Sequence, residues 1–171
     1  YLPLKSTGNP EITQYLCDHS GKDVSEELFQ IMRQTKLTSF DELVKDLSEK
    51  DVLPGIRDFL TWLNEQGVKT AVASSSNTSS GLANRFDLTK HFGVVIDGNR
   101  KLPRKPAPDT FLLAAKMLGV DPSECIVFED SLAGIDAAVN AGMPVVAVGG
   151  IRSEKAIAHI ADFRDIRNCF G

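Results

Sequence analysis

Three short segments carry side chains able to handle an anionic group. The first, Ala73-Ser74-Ser75-Ser76-Asn77, follows an apolar run and precedes a helical stretch. A hydroxyl beside unpaired N–H groups at a helix start attracts an anion, because the free donors and the helix dipole point the same way. A serine-rich turn that only caps the helix has the same composition. The second is Arg104-Lys105-Pro106-Ala107-Pro108-Asp109, where two prolines stiffen the backbone that aims the Lys105 ammonium. That ammonium can neutralise a phosphate oxygen as a point charge, the competing reading being a solvated surface lysine. The third, Ile126-Val127-Phe128-Glu129-Asp130-Ser131, runs from apolar residues into two adjacent carboxylates. Beside a phosphate such a pair suits Mg²⁺, which takes one or two carboxylates, several waters and phosphate oxygens. Capping of the next helix by Asp130 or Ser131 is the alternative. Hydroxyl, lysine and acid pair on three successive strand ends are together much harder to dismiss than any one of them alone.

The elements that must position these residues follow from periodicity. Apolar runs at 68–73, 94–96, 126–128 and 145–148 alternate with helical stretches expected at 78–86, 108–118, 132–141 and 153–160. Strands buried on both faces read as continuous β-branched runs, and their alternation with helices implies a parallel sheet covered on both sides. The spacing therefore predicts an α/β, doubly wound, Rossmann-like core over residues 51–171. Residues 1–50 read as a strand-free helical cap. In it Ile12, Tyr15, Leu16 and His19, then Leu28, Ile31 and Met32, then Phe40, Leu43, Val44 and Leu47 recur at helical spacing. Asn9-Pro10-Glu11 and Ser25-Glu26-Glu27 signal helix starts, Gly21 a stop, and Pro54-Gly55 the start of an amphipathic helix that Gly67 ends. Ligands of open α/β sheets sit beyond the carboxyl ends of the strands. Ser74, Lys105, Glu129 and Asp130 are accordingly expected to converge on one solvent-accessible pocket.

The segments A-S-S-S-N after V-K-T-A-V, K-P-A-P-D, and F-E-D-S-L-A-G-I with A-A-V-N-A-G-M behind it resemble the second, third and fourth motifs of the haloacid dehalogenase superfamily. Within it they are most similar to the β-phosphoglucomutase-like phosphatases and phosphomutases, and D-V-L-P-G-I at 51–56 matches that group's return from cap to core. The resemblance implies that Ser74 hydrogen-bonds the transferring phosphoryl group, and that Lys105 offsets its charge and orients the nucleophile. It implies that Asp130, with Glu129, helps to hold Mg²⁺, and that Ser75, Ser76 and Asn77 line the entrance. The family's first motif, a strand ending D-x-D, supplies the attacking aspartate; nothing before Asp51 resembles it. That strand is central in the family's sheet. The expectation is an upstream segment of some tens of residues, or a partner chain, that completes the sheet between the strands ending at Ser74 and Glu129. Mutases of this group tend to carry lysine where Asn77 stands, which favours a phosphatase. A mutase, and a binding module without activity, are the alternatives. A phosphoacceptor signalling domain would place the acids first, whereas here they come last.

Bulk properties exclude other classes. The 171 residues carry a formal charge of −4, and with a pI near 5.4 they lack the broad positive field that nucleic acids or membrane surfaces require. The basic cluster Arg100, Lys101 and Arg104 is too small to reverse this. Cys17, Cys125 and Cys169 form no metal-ligand pair or disulfide framework, which fits a reducing cytoplasm. His19, His91 and His159 stand alone in sequence. The ligand expected is a small phosphorylated metabolite.

Overall fold

Glycine and capping chemistry divide the chain much as the periodicity predicts. The computed structural model describes residues 9–21 and 23–168; the opening Tyr1-Leu2-Pro3-Leu4 and Cys169 lie outside the described residues, as does the side chain of Ile12. The chain divides after Asp51 into two compact units.

In the first unit, α1 (Asn9–Asp18) packs on α2 (Glu26–Asp46). Ser25 caps α2 through its Oγ, which accepts from Leu28 N at 3.2 Å, while Glu26 and Glu27 complement the positive end of the dipole and Lys45 the negative end. The apolar positions from Leu28 to Val44 thus fall on one continuous 21-residue helix. Cys17 and Thr13 are buried, and Cys17 Sγ lies 4.0 Å from Met32 Sδ.

The second unit begins with α3 (Ile56–Glu65), preceded by Gly55 at φ 78°, where a Cβ would stand 2.6 Å from Arg164 N. Then follow β1 (Ala71–Ala73), α4 (Ser79–Arg85), β2 (Val94–Ile96), α5 (Asp109–Leu118), β3 (Val127–Glu129), α6 (Leu132–Asn140), β4 (Val145–Val148) and β5 (Ala158–Ile160). All ladders are parallel. β1 pairs with β2, and separately β4 lies between β3 and β5. β1 and β3 are not hydrogen-bonded to one another.

The period of two explains why β4 reads as an unbroken apolar run. Val145 and Ala147 pack with Phe111 and Ala115 of α5 and Ile135, Ala137 and Ala138 of α6. Val146 and Val148 pack on the opposite face with Ile160, Phe163, Ile166, Ile56 and Phe59. Helices therefore cover both faces of this ladder, as an α/β core requires.

One expectation fails. Residues 153–160 do not form a helix; they turn and then extend as β5, because β4 offers them a ladder edge. Ile157 N donates to Val145 O at 2.9 Å and Gly149 N to Ile160 O at 2.8 Å.

Candidate active site

β3 ends on Glu129, a carboxylate only 7% exposed. Burial at that depth is costly unless each oxygen finds a partner. Oε2 accepts from Lys105 Nζ at 2.5 Å, and Oε1 accepts from Ser131 Oγ at 2.7 Å. Ser131 Oγ in turn accepts from Gly134 N at 3.1 Å and so caps α6. Gly134 makes the arrangement possible: a Cβ there would lie 2.0 Å from Glu129 Cδ. The side chain of Lys105, at the cis Lys105–Pro106 peptide, is buried, with its ammonium 4.6 Å from the centroid of the Phe111 ring. Asn140 Nδ2 donates to Pro106 O at 2.9 Å, fastening this turn to the end of α6. Lys105 is thus no solvated surface lysine, and the cap is Ser131 rather than Asp130. Asp130 is exposed at the tip of the strand.

The loop after β1 meets the loop after β2. Ladder register sets Ala73 against Ile96, so Ser74 and Asp97 leave the sheet side by side, and Ser74 N donates to Ile96 O at 2.9 Å. Ser74 Oγ accepts from Ser76 N at 3.1 Å, which leaves its own O–H as a donor. Gly98 N donates to Ser76 O at 3.1 Å, and Asn99 Nδ2 to Asn77 O at 3.3 Å. A Cβ on Gly98 would stand 2.3 Å from Asn77 Oδ1 and 2.4 Å from Ser75 O, so the two loops touch through their backbones. Between them opens a cavity of about 430 Å³, lined by Ser74, Ser75, Asn77, Asp97, Asn99, Lys101 and Arg104 among others. Asp97 accepts from Ser80 Oγ at 2.5 Å and from Asn99 N at 3.0 Å. The Ser80 hydrogen bond, more than any other influence, holds its carboxyl below the usual carboxylate range.

The expected convergence is therefore divided. Lys105 and Glu129 meet directly, with Asp130 next in sequence, while Ser74, Ser75 and Asn77 line the cavity, whose wall includes neither Lys105 nor the two acids. Lys105 is absent from it because Glu129 and Phe111 draw its ammonium inward. Ser76 turns back on its own loop, its Oγ 2.8 Å from Thr78 Oγ1. Among the described residues no group of three or more His, Cys, Asp or Glu side chains is placed to hold a metal. The donor set nevertheless fits Mg²⁺, which needs few protein ligands: Asp130 presents an exposed carboxylate, and each Glu129 oxygen keeps accepting capacity beyond its one hydrogen bond.

Sequence reasoning passed over Asp97 and Asn99. The signal was available, since Asp97 directly follows the apolar run of β2 and the strand-end rule applies to it as to Ser74.

A family model described as haloacid dehalogenase-like hydrolase matches residues 6–142. Over 120 residues the chain is 37% identical to the β-phosphoglucomutase of Bacillus subtilis, covering 70% of this chain and 53% of that protein. Over 124 residues it is 34% identical to a phosphorylated carbohydrates phosphatase of Thermotoga maritima, covering 71% and 55%. The chain spans about half the length of these curated relatives. Among solved structures, the β-phosphoglucomutase of Clostridium difficile superposes with a TM-score of 0.82 at 28% identity, covering 98% of this chain and 79% of that one.

Proposed function

The chain belongs to the haloacid dehalogenase-like hydrolase family, and from that premise we propose that it works as a Mg²⁺-dependent phosphatase on a small phosphorylated metabolite, by way of an aspartyl-phosphate intermediate. The observation that carries this reading is the buried Lys105–Glu129 pair beside Asp130 at the carboxyl end of β3. A charge pair held out of water in fixed geometry is the kind of preorganised electrostatics that phosphoryl transfer uses. Asp130 with Glu129 would hold the metal, which when bound would supply charge neutralisation of the phosphoryl oxygens. Lys105 orients the attacking carboxylate and offsets charge on the phosphoryl group, and Ser74 donates its O–H to a phosphoryl oxygen. Glu129, anchored by Ser131, keeps Lys105 in place. The nucleophilic aspartate belongs, in this reading, to a segment seated between the unpaired edges of β1 and β3. The free Cys17 and Cys125 thiols accord with a reducing cytoplasm, and no helix among the described residues is long and apolar enough to cross a membrane.

In protein that carries the nucleophile segment, Asp130→Ala is expected to lower kcat for p-nitrophenyl phosphate by at least ~10²-fold and to raise the Mg²⁺ concentration needed for half activity. Wild-type rates with wild-type Mg²⁺ dependence in that variant would defeat the proposal. A second reading, transfer of the phosphoryl group between positions of a sugar, is favoured by the 37% identity to a β-phosphoglucomutase. Release of inorganic phosphate in step with substrate loss separates hydrolysis from mutation, which releases none.

A further inference from the structure

The Lys105 ammonium has three N–H donors, and among the described residues it gives a hydrogen bond to one acceptor, Glu129 Oε2. Its other close neighbour is the face of the Phe111 ring, whose centroid lies 4.6 Å from Nζ, inside the roughly 6 Å over which a ring face attracts a cation. Both side chains are shielded from water, Lys105 at 7% exposure and Phe111 at 6%, so solvent does little to screen that attraction. The ring itself is held by α5: Phe111 stands in the first turn, its N–H donates to Pro108 O at 3.0 Å, and it packs in the core with Ala115, Val127 and Ile135. Filling that core space asks only for an apolar side chain of the right size. Holding an ammonium asks for more. A second carboxylate there would outweigh the lysine and repel an anionic phosphoryl group, whereas a ring face attracts the cation while carrying no net charge.

We propose that Phe111 is a positioning residue of the reaction: the face of its ring, acting with Glu129, fixes the direction of the Lys105 ammonium and leaves the remaining N–H groups free for the nucleophile and the phosphoryl group. The inference rests on the phosphatase reading and adds to it a residue of α5 that acts only through Lys105.

Protein that carries the nucleophile segment tests this when Phe111 is replaced by phenylalanines bearing one, two or three ring fluorines, which weaken the negative face stepwise at nearly constant size. The expected result is a stepwise fall in kcat for p-nitrophenyl phosphate, reaching at least about tenfold at three fluorines, with KM unchanged. The same series at Phe163, which packs on Phe59 and Phe128 rather than on Lys105, should leave kcat as it is. A second measurement needs no turnover: the ring current of Phe111 should shift the Lys105 ε-methylene protons upfield of those of exposed lysines. Phe111→Leu should abolish that displacement, with thermal melting confirming that the variant is folded; if it is not, the fluorine series decides alone. A flat kcat across the series, an equal fall at Phe163, or undisplaced Lys105 protons overturns the positioning role and leaves the phosphatase reading standing. Absence of hydrolysis by the unfluorinated protein overturns both.

Discussion

Removing one half of a buried ion pair strands the other charge without water or partner, at a cost of about 3–5 kcal/mol. Lys105→Met should therefore destabilise the protein by roughly that amount in urea denaturation, since Glu129 would keep only Ser131. The double variant Lys105→Met/Glu129→Leu, which removes both charges, should regain most of the stability while remaining inactive. Recovery of stability without activity would assign the pair to function. A double variant as unstable as the single one would show that the pair is needed for folding. At this scale the sequence displays which chemically capable residues follow the strands but not which way they point. Glu129 and Asp130 are neighbours of identical charge, yet one is buried and the other exposed. Glu129 is the last residue of β3 and is held inside by Lys105 and Ser131, whereas Asp130 follows the end of the strand. The direction of Lys105 was equally hidden, because it depends on Phe111 and Glu129, neither of which is adjacent to it in the chain.

The short turn between β3 and α6 works as one unit. Ser131 caps the helix and holds Glu129 with the same oxygen, and Gly134 leaves the space that the carboxylate fills. Gly134→Ala should push Glu129 off Lys105, costing at least ~2 kcal/mol by overpacking and lost pairing, and should lower activity far more than Ala elsewhere on α6. Denaturation midpoints and turnover in the same preparations check this; near-normal values would mean that Glu129 has a second acceptable position. Elements were legible where glycine, capping residues or β-branched runs mark their ends. The stretch before Ile160 was not: Glu154, Lys155, Ala156 and Ala158 favour a helix locally, and only the waiting edge of β4 makes an extended chain preferable. Local propensity loses there to ladder hydrogen bonds that no window of sequence displays.

Taken whole, the second unit holds two parallel ladders of unequal depth. β4 is bonded on both sides and its Val145, Val146 and Ala147 have no exposure, whereas every residue of β1 is only partly buried and β1 pairs on one side alone. Protection of backbone amides against deuterium follows the free energy of the smallest opening that exposes them. Amides of β4 should consequently be the last to exchange, through global unfolding, while those of the β1–β2 ladder exchange earlier by a separate opening with weaker dependence on denaturant. Identical rates and denaturant dependence for the two sets would mean that the ladders open as one. A peptide strand inserted between β1 and β3 would join them, and its arrival would be visible without any assay of catalysis: the fast class of amides would slow down and merge with the slow one.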